Sequence, residues 1–310
     1  MIIDRLMERI DKLQNPTVIG LDTRLDYIPD YILEKWGLTS DAGNMEDAAN
    51  AVLEFNKGII DRIFDIVPAV KIQIACYEML GLPGLWAFNR TVDYCKDKGL
   101  MVIGDAKRND IGSTAQEYAR AFLGETQFRG RVLGRAFPVD FLTVNPYLGY
   151  DGVEPFIDSC RKFNKGIFVL AKTSNASSCQ IQDLEVGGER VFQRVARLIH
   201  EWGRELMGQS NYSCVGAVVG ATYPEQARIL RAAMPHTFFL VPGYGAQGGK
   251  AEDIALCFDK LGRGAVVNAS RSILCAYRSD RWKEQFTPGE FAQAARAEAL
   301  RMRDDIIRCL

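Results

Sequence analysis

The chain has 310 residues, 47% of them hydrophobic and 25% charged, enough apolar material for a sizeable core, which excludes a disordered or low-complexity polymer. Lysine plus arginine number 38 against 39 aspartate plus glutamate, a formal net charge of -1, and no long basic stripe supplies the counterion release that nucleic-acid binding needs, so no nucleic-acid partner is expected. Charges interrupt the N-terminal stretch MIIDRLMERIDKLQ, and no run reaches the roughly 18 apolar residues of a membrane span, so a soluble cytoplasmic protein without membrane association is expected.

In chain order, eight short apolar, β-rich runs recur: TVIGLD (17–22), AVKIQIAC (69–76), MVIGDAK (101–107), FLTVNPY (141–147), GIFVLAKTS (166–174), SCVGAVVG (213–220), TFFLVPG (237–243) and GAVVNAS (264–270). Stretches of helical period fill most of the gaps, among them 46–67, 85–99, 153–164, 191–208, 224–234 and 251–262, with a last one in 286–310. Eight alternations of β and α predict an α/β protein, a single (β/α)8 TIM barrel over residues 1–310, with extended connections at about 23–50 and 113–140. A doubly wound open sheet is disfavoured because the first run ends GLDTRLDYIP, without a G-x-G-x-x-G turn. The eight cysteines form no CxxC pair and read as reduced thiols, and His200 and His236 are too few for a His-rich metal centre, so no metal is expected.

In such a barrel the polar residues at the C-terminal ends of the strands carry the chemistry, because the rest of each strand packs in apolar layers. Run one ends in Asp22, run two carries Lys71, and run three leads into Asp105-Ala106-Lys107-Arg108-Asn109-Asp110-Ile111. Asp105 and Lys107 are two apart, so a regular strand turns both to one face and Ala106 to the other. Charges confined there need partners, and alternation of Lys71, Asp105, Lys107 and one further carboxylate supplies them, keeping Lys107 an ammonium and hence a proton donor. Glycines after Pro242, in Gly243-Tyr244-Gly245-Ala246-Gln247-Gly248-Gly249, together with Arg271 after run eight, fit the phosphate site that the last two loops of these barrels frequently build.

These segments together resemble the orotidine 5'-phosphate decarboxylase family in its longer bacterial form. The resemblance runs from about Pro16 to Tyr277 through VIGLD, AVKIQ, IGDAKRNDIGSTA, TVNPYLGYDG, AKTSN, VVGATYPEQ, VPGYGAQGG and SRSI, with D-x-K-x-x-D-I-G-S-T-A the most specific. It implies removal of CO2 from C6 of orotidine 5'-monophosphate to give UMP, with neither metal nor organic cofactor. It also implies Lys107 as proton donor, Asp105 beside the substrate carboxylate, and Lys71 holding that network and approaching the ribose. Asp22 is implied as a ribose ligand and Ser174 as the partner of the pyrimidine amide edge. Pro242, Gln247 and Arg271 are implied to line the substrate site, the last two gripping the phosphate. The family pattern is a homodimer with shared sites, in which Asp110, Ile111 and Thr114 belong to the segment that crosses to the partner subunit. Asn109 and Ser270 stand where that pattern carries glycine.

Three other readings compete. A Mg2+-dependent sugar-phosphate enzyme shares the D-x-K-x-x-D strand but calls for a further acidic ligand. A Schiff-base aldolase would use Lys172 or Lys71 as an amine, although a strand-end salt bridge is the simpler role for Lys172. A silent binding barrel is disfavoured by the joint presence of Lys71, Asp105, Lys107, Asp110, Gln247 and Arg271.

Overall fold

Every one of the eight apolar runs forms a strand in the computed structural model, which describes residues 1–245 and 249–310. The strands are β1 (Thr17–Gly20), β2 (Ala69–Gln73), β3 (Met101–Arg108), β4 (Phe141–Val144), β5 (Gly166–Lys172), β6 (Ser213–Val219), β7 (Thr237–Pro242) and β8 (Ala265–Ala269). Each pairs in parallel with its sequence neighbours, and β1 pairs β8 through Thr17 with Val267, so the sheet closes into a barrel. All residues of β1, β4 and β6 are buried, because side chains facing inward fill the barrel while those facing outward meet helices. The runs extend past several strands at their C-terminal ends, where the chain leaves the ladder to carry rim side chains such as Asp22 and Ser174.

Helices cover the outside. In Met45–Ile63, Asn44 caps the start by accepting from the amides of Glu46 and Asp47, and the buried face includes Val52, Phe55, Ile59 and Ile63. That face meets the C-terminal helix Phe291–Ile307, with the Phe55 and Phe291 rings stacked at 4.7 Å between centroids. Among the described residues, two helices of 12 residues each lie outside the stretches read from the pattern. Ile2–Leu13 buries Ile2, Ile3, Leu6 and Met7 near the start of β6, and its Asp4 accepts from the backbone and hydroxyl of Ser210 at 2.8 and 2.7 Å. Gly112–Leu123 occupies the first half of the 113–140 connection, followed by an exposed hairpin of Thr126–Phe128 and Arg131–Gly134. The 23–50 connection holds the short helix Asp30–Lys35 and is tied to the segment after β8, where Tyr277 donates to the Tyr27 carbonyl at 3.0 Å. Among the described residues no helix is long and apolar enough to cross a membrane.

Candidate active site

Four charged side chains on or just beyond the first three strands meet at the C-terminal mouth of the barrel. Lys71 Nζ donates to Asp22 Oδ1 at 2.8 Å and to Asp105 Oδ2 at 2.9 Å, and Lys107 Nζ donates to Asp105 Oδ1 at 2.6 Å. The order Asp22, Lys71, Asp105, Lys107 is thus the alternation the electrostatics demanded, with Asp22 supplying the further carboxylate from within the chain. The Lys71 side chain is 5% exposed and that of Lys107 is 45% exposed, so of the two ammonium groups only Lys107 is freely reached from the cavity.

A regular strand does not deliver this geometry, which corrects the simple two-residue alternation. Lys107 adopts φ 48°, and the β3–β4 register shifts between Gly104 and Arg108. Left-handed backbone at a non-glycine residue costs about 1–2 kcal/mol and persists only where its surroundings enforce it. Here Thr143, on β4, enforces it: its hydroxyl oxygen accepts from the amides of Ala106 and Lys107 at 3.0 and 2.9 Å and donates to Asp105 Oδ1 at 2.9 Å. Gln73, two residues after Lys71 and on the same strand face, donates to Asp105 Oδ2 at 3.0 Å. Asp105 therefore accepts four hydrogen bonds, two on each oxygen.

Burial by itself would raise the Asp105 carboxyl, but the ammonium groups of Lys71 and then Lys107 overturn this and hold it well below the usual carboxylate range. Burial likewise opposes the charge on Lys71, yet Asp105 and Asp22 raise it above an ordinary lysine. Both groups are charged across the physiological range, and neither Lys71 nor Asp105 is a source of protons there.

The array faces a cavity of about 580 Å3, a size suited to a small-molecule ligand such as a nucleotide. Leu170, Val218 and Leu240 supply apolar lining, and Ser174 and Asn175 stand after β5, Pro242 and Tyr244 at β7, and Asn268, Ser270 and Arg271 at β8. The structure thus brings Asp22, Lys71, Asp105, Lys107, Ser174, Pro242 and Arg271 to one cavity. Ser270 does not need glycine-like backbone: its φ is -120°, and room for it comes from Gly20, where a Cβ would fall 1.9 Å from the Ser270 hydroxyl. Asn109 also avoids the left-handed region and donates to the Gly152 carbonyl at 3.2 Å.

Asp110, Ile111 and Thr114 stand apart from this cavity within the chain. Asp110 accepts from the Ile111 amide at 2.8 Å, Ile111 is 58% exposed, and Thr114 is exposed in the first turn of Gly112–Leu123. Gln247 lies outside the described residues. Sequence reasoning missed Tyr27, Gln73, Thr143 and Asn268. Gln73 and Thr143 were within reach as polar residues inside apolar strands, Gln73 at the spacing that shares a face with Lys71. Tyr27 was not, because the contact that places it joins segments 250 residues apart.

Fold and site together define a (β/α)8 barrel with an ion-paired centre at its C-terminal rim. Residues 47–281 match the sequence profile described as the orotidine 5'-phosphate decarboxylase / HUMPS family. An orotidine 5'-phosphate decarboxylase of Clostridium tetani is 44% identical over 311 aligned positions, covering 100% of this chain and 99% of the relative. One from Caldicellulosiruptor bescii is 43% identical over 276, covering 89% and 90%. The solved OMP decarboxylase of Leishmania donovani superposes with a TM-score of 0.72 at 28% identity, over 100% of this chain and 99% of that one. The chain belongs to the orotidine 5'-phosphate decarboxylase / HUMPS family.

Proposed function

We propose that this protein decarboxylates orotidine 5'-monophosphate at C6 of the pyrimidine, giving UMP and CO2 in de novo pyrimidine biosynthesis, with Lys107 as proton donor and without metal or organic cofactor. One observation carries the reading: Asp105 is clamped as an anion between two ammonium groups, at 2.9 Å from Lys71 and 2.6 Å from Lys107, beside a nucleotide-sized cavity. When the C6–carboxylate bond breaks, its electron pair stays on C6 and CO2 leaves. The ring stabilises this carbanion-like centre poorly, so charge already in place must do so. The Lys107 ammonium supplies that charge and then a proton to C6, and the resulting amine regains its proton from solvent. Asp105, being fully paired, acts chiefly by aiming Lys107.

The remaining roles are those that the family resemblance implies. Arg271 and Gln247 hold the phosphate, Ser174 reads the pyrimidine amide edge, Asp22 meets the ribose while bound to Lys71, and Pro242 packs beside the base. Homodimer formation completes the site with Asp110, Ile111 and Thr114 from the partner subunit. In support, exposed apolar side chains follow three neighbouring strands on that side of the rim: Leu82 after β2, Ile111 after β3 and Tyr147 after β4, at 81%, 58% and 80% exposure. The place of action is the cytoplasm. Loss of orotidine 5'-monophosphate absorbance in EDTA tests the reading beside a Lys107→Ala control. Turnover lowered about 10²–10⁴-fold by the substitution is the expected result. A folded protein that turns over no substrate overturns it.

A further inference from the structure

Lys172, at the end of β5, is buried and does not line the cavity. Its Nζ donates to both Asp183 oxygens at 3.0 and 3.1 Å and to the Ser178 hydroxyl at 3.1 Å, using all three ammonium protons, and it lies 4.6 Å from the centre of the Tyr223 ring. It is an ion-paired ammonium and not an amine nucleophile. What the pair fixes is the segment carrying Gln182, the residue before Asp183. The Gln182 side chain grips Thr173 twice, its Oε1 accepting from the Thr173 amide at 3.0 Å and its Nε2 donating to the Thr173 hydroxyl at 2.8 Å. Thr173 passes its own hydroxyl proton to Asn175 Oδ1 at 2.7 Å. From the other side, the end of β6 closes on the same loop: a Cβ at Gly220 would sit 2.8 Å from the Ser174 amide nitrogen, and Thr222 donates to the Ser174 carbonyl at 3.3 Å.

We propose that Gln182, which is not a lining residue of the cavity, is a positioning residue for recognition of the base. It sets the backbone at Thr173 and, through the Thr173 hydroxyl, the amide orientation of Asn175, and so fixes the polar pattern that Thr173, Ser174 and Asn175 present to the pyrimidine. Lys172 and Asp183 anchor Gln182 to the barrel. The proposal rests on the reading above, in which this loop faces the base, and it adds a specificity determinant that makes no contact with the ligand. Because every link in the relay is a directional hydrogen bond, loss of Gln182 should disturb the loop while leaving the charge array and the phosphate end in place.

The test compares two ligands by calorimetry, UMP and ribose 5-phosphate, which keeps the sugar phosphate and lacks the base. Gln182→Ala should weaken UMP about tenfold and change ribose 5-phosphate less than about twofold, with the loss in orotidine 5'-monophosphate turnover falling on KM more than on kcat. Should the alanine variant fold poorly, Gln182→Glu provides the second measurement. It keeps an acceptor for the Thr173 amide but draws the Thr173 hydroxyl proton away from Asn175, and it should give the same split between ligands. Equal weakening of both ligands, or no change in UMP binding, overturns this inference alone. Failure of the unsubstituted protein to bind UMP overturns the decarboxylase reading and this inference with it.

Discussion

Thr143 donates its hydroxyl proton to Asp105 at 2.9 Å while the same oxygen accepts from the Lys107 amide at 2.9 Å, so one side chain of β4 bonds both the carboxylate and the backbone of the proposed acid. Thr143→Val keeps the shape and removes all three bonds. The Ala106 and Lys107 amides lose their acceptor, and a buried unpaired group costs about 1–3 kcal/mol. The left-handed turn at Lys107 then has less to enforce it. Steady-state kinetics should show kcat reduced at least about tenfold with UMP affinity nearly unchanged, since the residue acts on the chemical step and not on binding. Thr143→Ser, which retains the hydroxyl, should recover most of the loss. A Val variant altered only in KM would contradict the role.

The barrel was legible because continuous apolar runs separated by helical stretches admit few closures, and the same logic placed Asp22, Lys71, Asp105 and Lys107 at one mouth. The strand-end grammar could not show that Lys107 leaves regular strand geometry. That depends on Thr143, 36 residues away, filling the bulge with its hydroxyl. The helix Gly112–Leu123 went unread because its start is unmarked: Ile111 offers no side-chain cap, and the first turn opens on Gly112, Ser113 and Thr114, which favour helix poorly. The relay from Gln182 to Asn175 is likewise invisible in the sequence, where Gln182 is one polar residue among many between the fifth strand and the next long helix. Its role exists only once Lys172 pins Asp183.

The charge array also dictates a pH dependence of stability. Asp105 has its carboxyl depressed below the ordinary 3.8, so the unfolded chain binds more protons than the folded one as the pH falls into that range. The stability this contributes is complete above about pH 5 and is lost as the pH drops through about 4 and below. Lys71 is shifted up, so its contribution is present below the unfolded value of 10.5 and is lost only as the pH rises beyond it. In urea unfolding, Asp105→Asn should be less stable than the unsubstituted protein near neutrality, because two ammonium groups lose their anion. The gap should narrow steadily from about pH 5 to about pH 3. Other acid-sensitive carboxylates, such as Asp4, held at about 2 against burial by the N-terminal ammonium group and then by its Ser210 bonds, are common to both proteins and cancel. A gap independent of pH would refute the assignment of an ionised Asp105 to the folded state.

The proposed sharing of the site between subunits gives a complementation test. Asp110 stands outside the cavity of its own chain, two residues beyond Arg108, where β3 ends, and the exposed Ile111 follows it. If Asp110 serves the partner's Lys107, then Lys107→Ala and Asp110→Ala subunits are each inactive as homodimers, but a mixed dimer holds one intact site and one doubly defective site. Random exchange makes half the dimers mixed, so activity should recover to roughly a quarter of that of the unsubstituted protein. The measurement is turnover after subunit exchange, with exchange verified by mass on differently tagged chains. Recovery must also follow the fraction of mixed dimers as the ratio of the two variants is varied. Verified mixed dimers without recovered turnover would refute sharing of the site between subunits.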